Sequence, residues 1–262
     1  MKKGLNKTGL NKAGQLTVFI IIALIIIAAI LIILYPRIRV YVSPVTPSGF
    51  MQDCMSQYVD EILEKIEKQG GSYAPENIIY YDGNTVEYLC YTNEYYKTCK
   101  QQQPLLRQHI EQEISDYLKP RVEQCINQLA SDYESKGYQV SIKKSEVSAA
   151  VNSGNIKITA NSPVTLSKAS TESYEKFTIN KLSELYNLVM IAGSILNWEA
   201  RYGDSNPETY MIFYPNVKVE KLKQQDGSKI YILTDRETNE QFTFATRSLS
   251  WPVGYQEQEF VK

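Results

Sequence analysis

The sequence has very little histidine and lacks every motif that commonly marks an enzyme. A single histidine, His109, excludes sites that need two imidazoles close together, such as the His-Glu-x-x-His zinc motif. The sequence also has neither a Gly-x-Ser-x-Gly elbow nor a phosphate-binding glycine loop. We therefore predict no catalytic residue, no cofactor and no metal site. His109 itself is interpreted as a solvated residue of a helix, with a general base as the alternative.

Acidic residues are absent from the first part of the chain, up to Asp53. Six of the 28 Lys and Arg residues lie in residues 1–42, and all 29 Asp and Glu residues follow them. The net charge of −1 therefore divides into +6 for the N-terminal stretch and −7 for the rest. Because phosphate binding needs a basic surface, the acidic main part argues against nucleic acid as a partner.

One long hydrophobic run stands out within the basic stretch. Leu16 to Tyr35 contains no charged residue, and as a helix its 20 residues would be about 30 Å long, the thickness of the hydrocarbon layer. This length predicts a transmembrane helix in a lipid bilayer. A cleaved secretory signal is the alternative, although such signals have shorter apolar cores. Four lysines precede the run, whereas only Arg37 and Arg39 follow it closely, which favours a cytoplasmic N-terminus and an extracellular C-terminal part.

These patterns divide the chain into four parts. Residues 1–15 are a cytoplasmic tail or signal, 16–35 the transmembrane helix, 36–49 a proline-containing stalk, and 50–262 an extracellular domain. We therefore expect a single-pass protein of the cell membrane.

The residues that precede the hydrophobic run carry a family resemblance. Lys12-Ala13-Gly14-Gln15, followed at once by the apolar segment, resembles the class III signal sequences of archaeal type IV pilin-like proteins. The resemblance implies cleavage between Gly14 and Gln15 and assembly of the processed helix into a filament. It also implies a Glu at the fifth residue after the cut, where this sequence has Phe19.

A second resemblance covers roughly residues 12 to 130. The chain is similar to a group of single-span surface proteins of small-genome archaea, which carry a cysteine-bearing helix ending in Gln-Gly-Gly, a Tyr-Tyr stretch and a second cysteine-bearing helix. Here these features are Gln69-Gly70-Gly71 and Tyr80-Tyr81, with cysteines at 54 and 125. No activity follows from this resemblance.

Hydrophobic periodicity predicts an α+β domain outside the membrane. Apolar residues recur at helical spacing in residues 51–68, 104–135 and about 181–202, and alternate with polar residues from 138 onward. The third helix is apolar on most sides, so we expect it to be a buried central helix, with a second membrane span as the alternative interpretation. Further strands are expected from Met211 onward. Residues 73–100 show neither period and are expected to be irregular. The prediction is amphipathic helices packed on an antiparallel sheet.

Four cysteines lie within 72 residues of the predicted extracellular domain, so disulfides are expected. Three pairings are open. We favour Cys54 with Cys125, because these residues occupy equivalent places in two similar helical segments, and Cys90 with Cys99, which would close a short loop. Buried free thiols and a four-cysteine zinc site are the alternatives.

Tyrosine is abundant, with 20 residues, seven of which fall in residues 73–96. One interpretation is that these rings fill gaps over the helices. The other is a contact surface, because tyrosine combines a large area with a polar hydroxyl and suits recognition of proteins or glycans. The candidate contact residues are Tyr80, Tyr81, Tyr88, Tyr91, Tyr95 and Tyr96.

The leading functional hypothesis is a membrane-anchored, non-enzymatic cell-surface protein with a structural or adhesion-like role, which contacts itself, other surface proteins or glycans. A pilin-like filament subunit processed after Gly14 is the alternative. A third hypothesis, an anchored enzyme that acts on surface polymers, needs carboxylates that only the fold could bring together.

Overall fold

The computed structural model describes residues 21–27 and 46–250. Contacts divide the chain into two units, Met1–Thr46 and Pro47–Lys262. In the first unit, residues 21–27 are helical (α1) with exposed side chains. Within the described residues, no helix is both long enough and apolar enough to cross a bilayer. Most of the predicted span at 16–35 and the candidate processing site Gly14-Gln15 lie outside them.

The second unit contains long helices that bury one face each. In α2 (Pro47–Lys68) the buried residues are three or four positions apart, as an amphipathic helix requires: Met51, Met55, Val59, Ile62 and Ile66. The other helices are α3 (Leu106–Ser135), α4 (Leu185–Tyr202) and α5 (Pro207–Phe213). The predicted stalk thus ends earlier than expected, because Pro47 already starts α2; the fixed φ of proline suits a first helical position.

One sheet, sheet 1, has the strand order β1-β2-β10-β9-β8, with β3 beside β2. Its strands are β1 (Ile78–Tyr81), β2 (Asn84–Tyr91), β3 (Lys100–Gln101), β8 (Val217–Lys223), β9 (Ser228–Asp235) and β10 (Gln241–Arg247). The pairing of β2 with β10 is parallel, and the other pairings are antiparallel. Sheet 1 therefore joins the early, tyrosine-rich part of the chain to the last strand of the described residues.

A second sheet, sheet 2, is built around its longest strand, β6 (Asn155–Ser167). One edge of β6 pairs with β7 (Thr171–Leu182), and the other pairs with β4 (Gln139–Ile142) and β5 (Glu146–Asn152). All these pairings are antiparallel.

The hydrophobic core is shared by α2, α3, α4 and both sheets. Fully buried side chains at its centre include Met51, Ile62, Ile114, Leu118 and Phe244. A smaller cluster of Val86, Tyr88 and Ala245 lies on sheet 1. The α+β class predicted from the periodicity is confirmed for the described residues.

Three predictions about local structure were wrong. Residues 73–100 are not irregular, since β1, β2 and β3 lie there; β2 is buried on both faces and so lacks the alternation of a half-exposed strand. The single antiparallel sheet is in fact two sheets, one with a parallel pair. The third helix begins at Leu185 rather than near 181, because β7 continues to Leu182.

All four cysteines are in disulfides, Cys54 with Cys125 and Cys90 with Cys99. The first joins α2 to α3 across a sequence separation of 71, and the second joins β2 to the residue before β3. Both pairings are those favoured from the sequence. The free-thiol and zinc alternatives are therefore wrong.

Candidate functional site

A cleft with a volume of about 810 Å³ lies between α4 and α5. We call it the aromatic cleft. Its lining combines five aromatic rings with small polar side chains, as ligand pockets commonly do. The lining residues are Ser194, Trp198, Tyr202, Asp204, Ser205, Asn206, Thr209, Tyr210, Phe213 and Tyr214.

Helical spacing brings the α4 side of the cleft together. Ser194, Trp198 and Tyr202 are four residues apart and therefore share one face of α4. The Trp198 and Tyr202 ring centroids are 4.7 Å apart. Trp198 is 51% exposed and Phe213, from α5, 73% exposed, so large apolar rings face solvent here. Exposed patches of this kind mark interaction sites more often than isolated apolar residues do.

A tight reversal connects the two helices. Gly203 ends α4 with a φ of 76°, a left-handed conformation that favours glycine, and a Cβ at this position would collide with Ser250. Asn206 then caps α5, its side chain accepting a hydrogen bond of 2.9 Å from the backbone N–H of Glu208, and Pro207 follows as the first helical residue.

The inner side of the cleft carries a buried hydroxyl group. Ser205 is 4% exposed, and its Oγ has no hydrogen-bond partner in the part of the chain that the structure describes. Nearby, the hydroxyls of Ser194 and Tyr210 lie 3.2 Å apart. A buried hydroxyl without a partner is unfavourable, so a ligand in the cleft that displaces the atoms covering this Oγ would gain by offering it a polar group.

A buried ionic network holds the end of α4 in place. Glu199, fully buried, accepts a hydrogen bond from the Tyr231 hydroxyl and one of 2.7 Å from the Lys229 ammonium group. Lys229 also donates to the carbonyl of Gly203, where a positive charge is favourable at a helix C-terminus. Burial and the Glu199 charge raise the pKa of Tyr231, which keeps it a neutral donor.

Asp204 carries the negative charge at the edge of the cleft, and three lysines surround it. Lys221 lies 2.9 Å, Lys229 3.3 Å and Lys223 3.8 Å from its carboxylate oxygens. Burial acts to raise the pKa of Asp204, but these lysines outweigh it and hold the pKa below its ordinary value. The cleft therefore has no uncompensated carboxylate, which suits a neutral ligand.

The tyrosines predicted as a contact surface are not gathered in one place. Tyr80 lies on β1, whereas Tyr95 and Tyr96 lie in the loop closed by the Cys90–Cys99 disulfide, with ring centroids 6.4 Å apart. These three are exposed, and Tyr81 and Tyr91 are half-buried.

Tyr88 was predicted to be a contact residue, but it is buried. Only 6% exposed, it packs in the small cluster with Val86 and Ala245, and its hydroxyl lies 2.7 Å from the Ser228 hydroxyl. Tyr88 is therefore a packing residue and cannot form part of a contact surface.

The residues of the aromatic cleft were missed from the sequence. The segment at 181–202 was predicted as a buried central helix, and α5 was not predicted, because a strand was expected from Met211. Asn206-Pro207-Glu208 is a helix-start signal that could have located α5. Met190, Trp198 and Tyr202, each spaced for one face of α4, could have indicated an exposed apolar stripe.

His109 also has surroundings that the sequence did not reveal. It is half-buried rather than solvated, and its Nε2 lies 2.7 Å from the Oγ of Ser72. Groups of three or more metal-ligating side chains are absent from the described ranges.

Comparison of the chain with protein-family models, curated proteins and solved structures gave no significant match. Rings for stacking, hydroxyl and amide groups for hydrogen bonds and a carboxylate already paired with lysines equip the aromatic cleft to bind a neutral, amphipathic ligand.

Proposed function

We propose that this chain is a membrane-anchored cell-surface protein whose compact unit binds oligosaccharides in the aromatic cleft. The observation that carries the proposal is the combination of the exposed Trp198 and Tyr202 rings with the buried, unpartnered hydroxyl of Ser205. A sugar ring has an apolar C–H face that stacks on aromatic rings, and hydroxyl groups that bind polar side chains, so it matches both features.

A saccharide fits this cleft better than two other ligand classes do. A purely apolar ligand would leave the Ser205 hydroxyl without a partner, which is unfavourable. An anionic ligand would find no basic side chain among the lining residues, and a cationic ligand would find no free carboxylate, because Asp204 is paired with Lys221, Lys223 and Lys229.

Sequence and disulfides support the surface location. The uncharged run from Leu16 to Tyr35 has the length of a membrane span, and the basic residues before it favour a cytoplasmic N-terminus. Both disulfides of the compact unit require an oxidising compartment to form and persist, as the outside of a cell is. The acidic remainder of the chain favours solubility.

Binding is tested on a glycan array with the full chain in lipid nanodiscs. We expect a defined set of neutral oligosaccharides to bind, and Trp198→Ala to weaken binding about tenfold, the size of one aromatic stacking contact. Tyr80→Ala, which removes an exposed ring outside the cleft, is the matched control and should bind like the wild type. Unchanged binding by Trp198→Ala, or binding of proteins but no saccharide, would contradict the proposal.

Location is tested with a membrane-impermeant maleimide applied to intact cells. We expect no labelling of the four cysteines before reduction, and labelling after an impermeant reductant is added. Labelling without reduction would contradict an oxidised, external domain.

A filament role remains the second candidate, favoured by the class III signal-like residues Lys12 to Gln15. Mass analysis of the native N-terminus tests it. A chain that begins at Gln15 supports processing after Gly14, and an intact N-terminus excludes it.

A further inference from the structure

A second polar cluster, the Ser72 cluster, lies apart from the aromatic cleft and includes the single histidine. Its members come from three elements: Ser72 follows α2, Glu87 lies in β2 and His109 in α3. The Ser72 hydroxyl is hydrogen-bonded to the Glu87 carboxyl group, and its Oγ lies 2.7 Å from the Nε2 of His109. One hydroxyl therefore connects an acid to an imidazole.

Two glycines allow these three elements to approach one another. Gly70 and Gly71, which follow the end of α2, have φ values of 80° and 100°. A Cβ at Gly70 would lie 2.9 Å from the Cβ of Glu87, and one at Gly71 would lie 2.9 Å from Ile110. Glycine at both positions thus brings the chain close to β2 and α3 and places Ser72 between them.

Burial dominates the surroundings of Glu87. It is 7% exposed, and burial raises its pKa against the effect of the hydrogen bonds from Ser72 and Gln103 and the charge of His109. The Ser72 hydroxyl thus lies between two groups that can accept its hydrogen, the Glu87 carboxyl group and the Nε2 of His109.

The cluster opens into a small cavity of about 320 Å³. Most side chains around it are polar amides or carboxyls, and no lysine or arginine lines it. The residues that line it include Ser72, Asn77, Glu87, Gln103, His109 and Glu113. Glu113 accepts a hydrogen bond of 2.8 Å from the backbone N–H of Tyr73 and so fixes the segment that carries Ser72.

We propose that Ser72 is the nucleophile, and His109 the general base, of a site that hydrolyses short-chain esters of uncharged alcohols. A serine hydroxyl is a weak nucleophile until a base within hydrogen-bond distance removes its proton, and His109 lies at such a distance. Glu87 acts through Ser72 as a positioning residue.

The reaction balances within the cluster, with water as the only co-reactant. The Oγ of Ser72 attacks the ester carbonyl carbon while its proton passes to the Nε2 of His109. The bond from the carbonyl carbon to the alkoxy oxygen then breaks, and His109 returns the proton to the leaving alcohol. A water molecule, deprotonated by His109, attacks the acyl-serine, releases the carboxylic acid and restores the Ser72 hydroxyl.

Cavity size and charge define the substrate class. A volume of about 320 Å³ is at the lower end of ligand pockets, which favours a short acyl group such as acetyl. The carboxyl groups of Glu76, Glu87 and Glu113 disfavour anionic substrates. The amides of Asn77 and Gln103 can donate hydrogen bonds to a carbonyl or an alcohol oxygen.

A fluorophosphonate probe, which reacts covalently with activated serines, tests the proposal on the full chain in detergent. We expect one label per chain, located at Ser72 by peptide mass analysis, and hydrolysis of 4-nitrophenyl acetate that the label abolishes. His109→Gln should slow labelling about 100-fold or more, the usual contribution of a general base. Ser153→Ala, an exposed serine in the β5–β6 turn, is the control and should label like the wild type.

The wild-type protein alone can refute the proposal, whether or not the variants fold. A folded wild-type chain that takes no label at Ser72, or a His109→Gln variant that labels at the wild-type rate, would overturn it. Glu87→Gln tests positioning, because it should change the pH profile of labelling, whereas a merely structural residue would change only stability. The titratable groups lining the cavity are Glu76, Glu87, Tyr88, His109 and Glu113.

Discussion

Two buried glutamates, Glu199 and Glu87, lie in opposite electrostatic surroundings. Glu199 is fully buried but receives hydrogen bonds from the Lys229 ammonium group and the Tyr231 hydroxyl. Glu87 is nearly as buried, yet its partners are the Ser72 hydroxyl and, at 3.5 Å, the Gln103 amide. The negative charge of Glu199 is compensated by a cation, whereas Glu87 has no such partner among the described residues and its burial raises its pKa. The difference separates a structural network from a site suited to proton transfer.

The largest effect that this comparison predicts is on stability at Glu199. Lys229→Met removes the cation and leaves a buried, uncompensated carboxylate, so we expect a loss of about 3–5 kcal/mol in the free energy of unfolding. Urea unfolding of the disulfide-bonded protein measures it.

Two further variants make this prediction specific. Lys223→Met removes an exposed lysine that contacts only Asp204 and should cost less than about 1 kcal/mol. A Lys229→Met, Glu199→Leu double variant should recover most of the loss, because neither charge remains. A double variant as unstable as the single one would show that Lys229 acts through packing instead.

The second largest effect concerns the disulfide between Cys54 and Cys125, which joins the helix before Ser72 to the helix that carries His109. Replacing both cysteines with serine opens a 71-residue loop, and the chain-entropy estimate gives a loss of about 4 kcal/mol. We expect the variant to lower the reactivity of Ser72 and to leave the aromatic cleft intact.

Cys90→Ser, Cys99→Ser is the matched control, since it opens a loop with a separation of only 9 residues. The same estimate gives a loss of about 2.5 kcal/mol. Thermal unfolding of the two variants compares them, and a control that destabilises more than the long-range pair would contradict the prediction.

A third effect arises from Glu67. Within the described residues, no basic side chain is hydrogen-bonded to its carboxyl group. Burial, and next the charge and hydrogen bond of Glu240, raise the pKa of Glu67 to about 9. Glu240 itself accepts a hydrogen bond of 2.6 Å from the backbone N–H of Glu184. The folded state thus binds this proton more tightly than the unfolded state does, so its contribution is complete below about pH 4.5 and is lost as the pH rises towards 9.

We expect the free energy of unfolding to fall by about 2 kcal/mol between pH 6 and pH 9, a value reduced for the partial exposure of Glu67. Glu67→Gln keeps an uncharged donor and should remove most of this pH dependence. Urea unfolding at several pH values measures it, and Glu64→Gln, at an exposed neighbouring carboxylate, is the control. Equal pH dependence in Glu67→Gln and the wild type would contradict the assignment.

The smallest effect has the opposite sign. Ser205→Ala removes a buried hydroxyl without a partner in the described residues, so stability should stay within about 1 kcal/mol of the wild type or increase. Saccharide affinity should fall at the same time, because the ligand loses a hydrogen bond. Thermal unfolding and calorimetric titration measure the two quantities, and an unchanged affinity would exclude Ser205 from the site.

Features carried by local sequence patterns could be predicted. The buried stripe of α2 and the strands after residue 138 follow from their periods, and the pairing of Cys54 with Cys125 follows from their equivalent positions in two helices. Local patterns failed at β2, because both faces of this strand are buried and it pairs in parallel with β10, which lies about 150 residues later.

Neither site could be predicted in full, for a different reason in each case. Glu87 and His109 lie 15 and 37 positions after Ser72 in the sequence, and only the fold brings these three residues together. In the aromatic cleft, the sequence pattern places the rings of α4 on one face. Because α5 was not predicted, the second wall of the cleft could not be recognised.

The proposed ligand site is tested most directly through its own tryptophan. The sequence contains two tryptophans, Trp198 and Trp251, so a Trp251→Phe chain reports on the aromatic cleft alone. We predict that titration with an oligosaccharide selected on the array changes the Trp198 emission saturably, with the same dissociation constant as calorimetry. Saccharide binding in the calorimeter with an unchanged Trp198 emission would contradict the account.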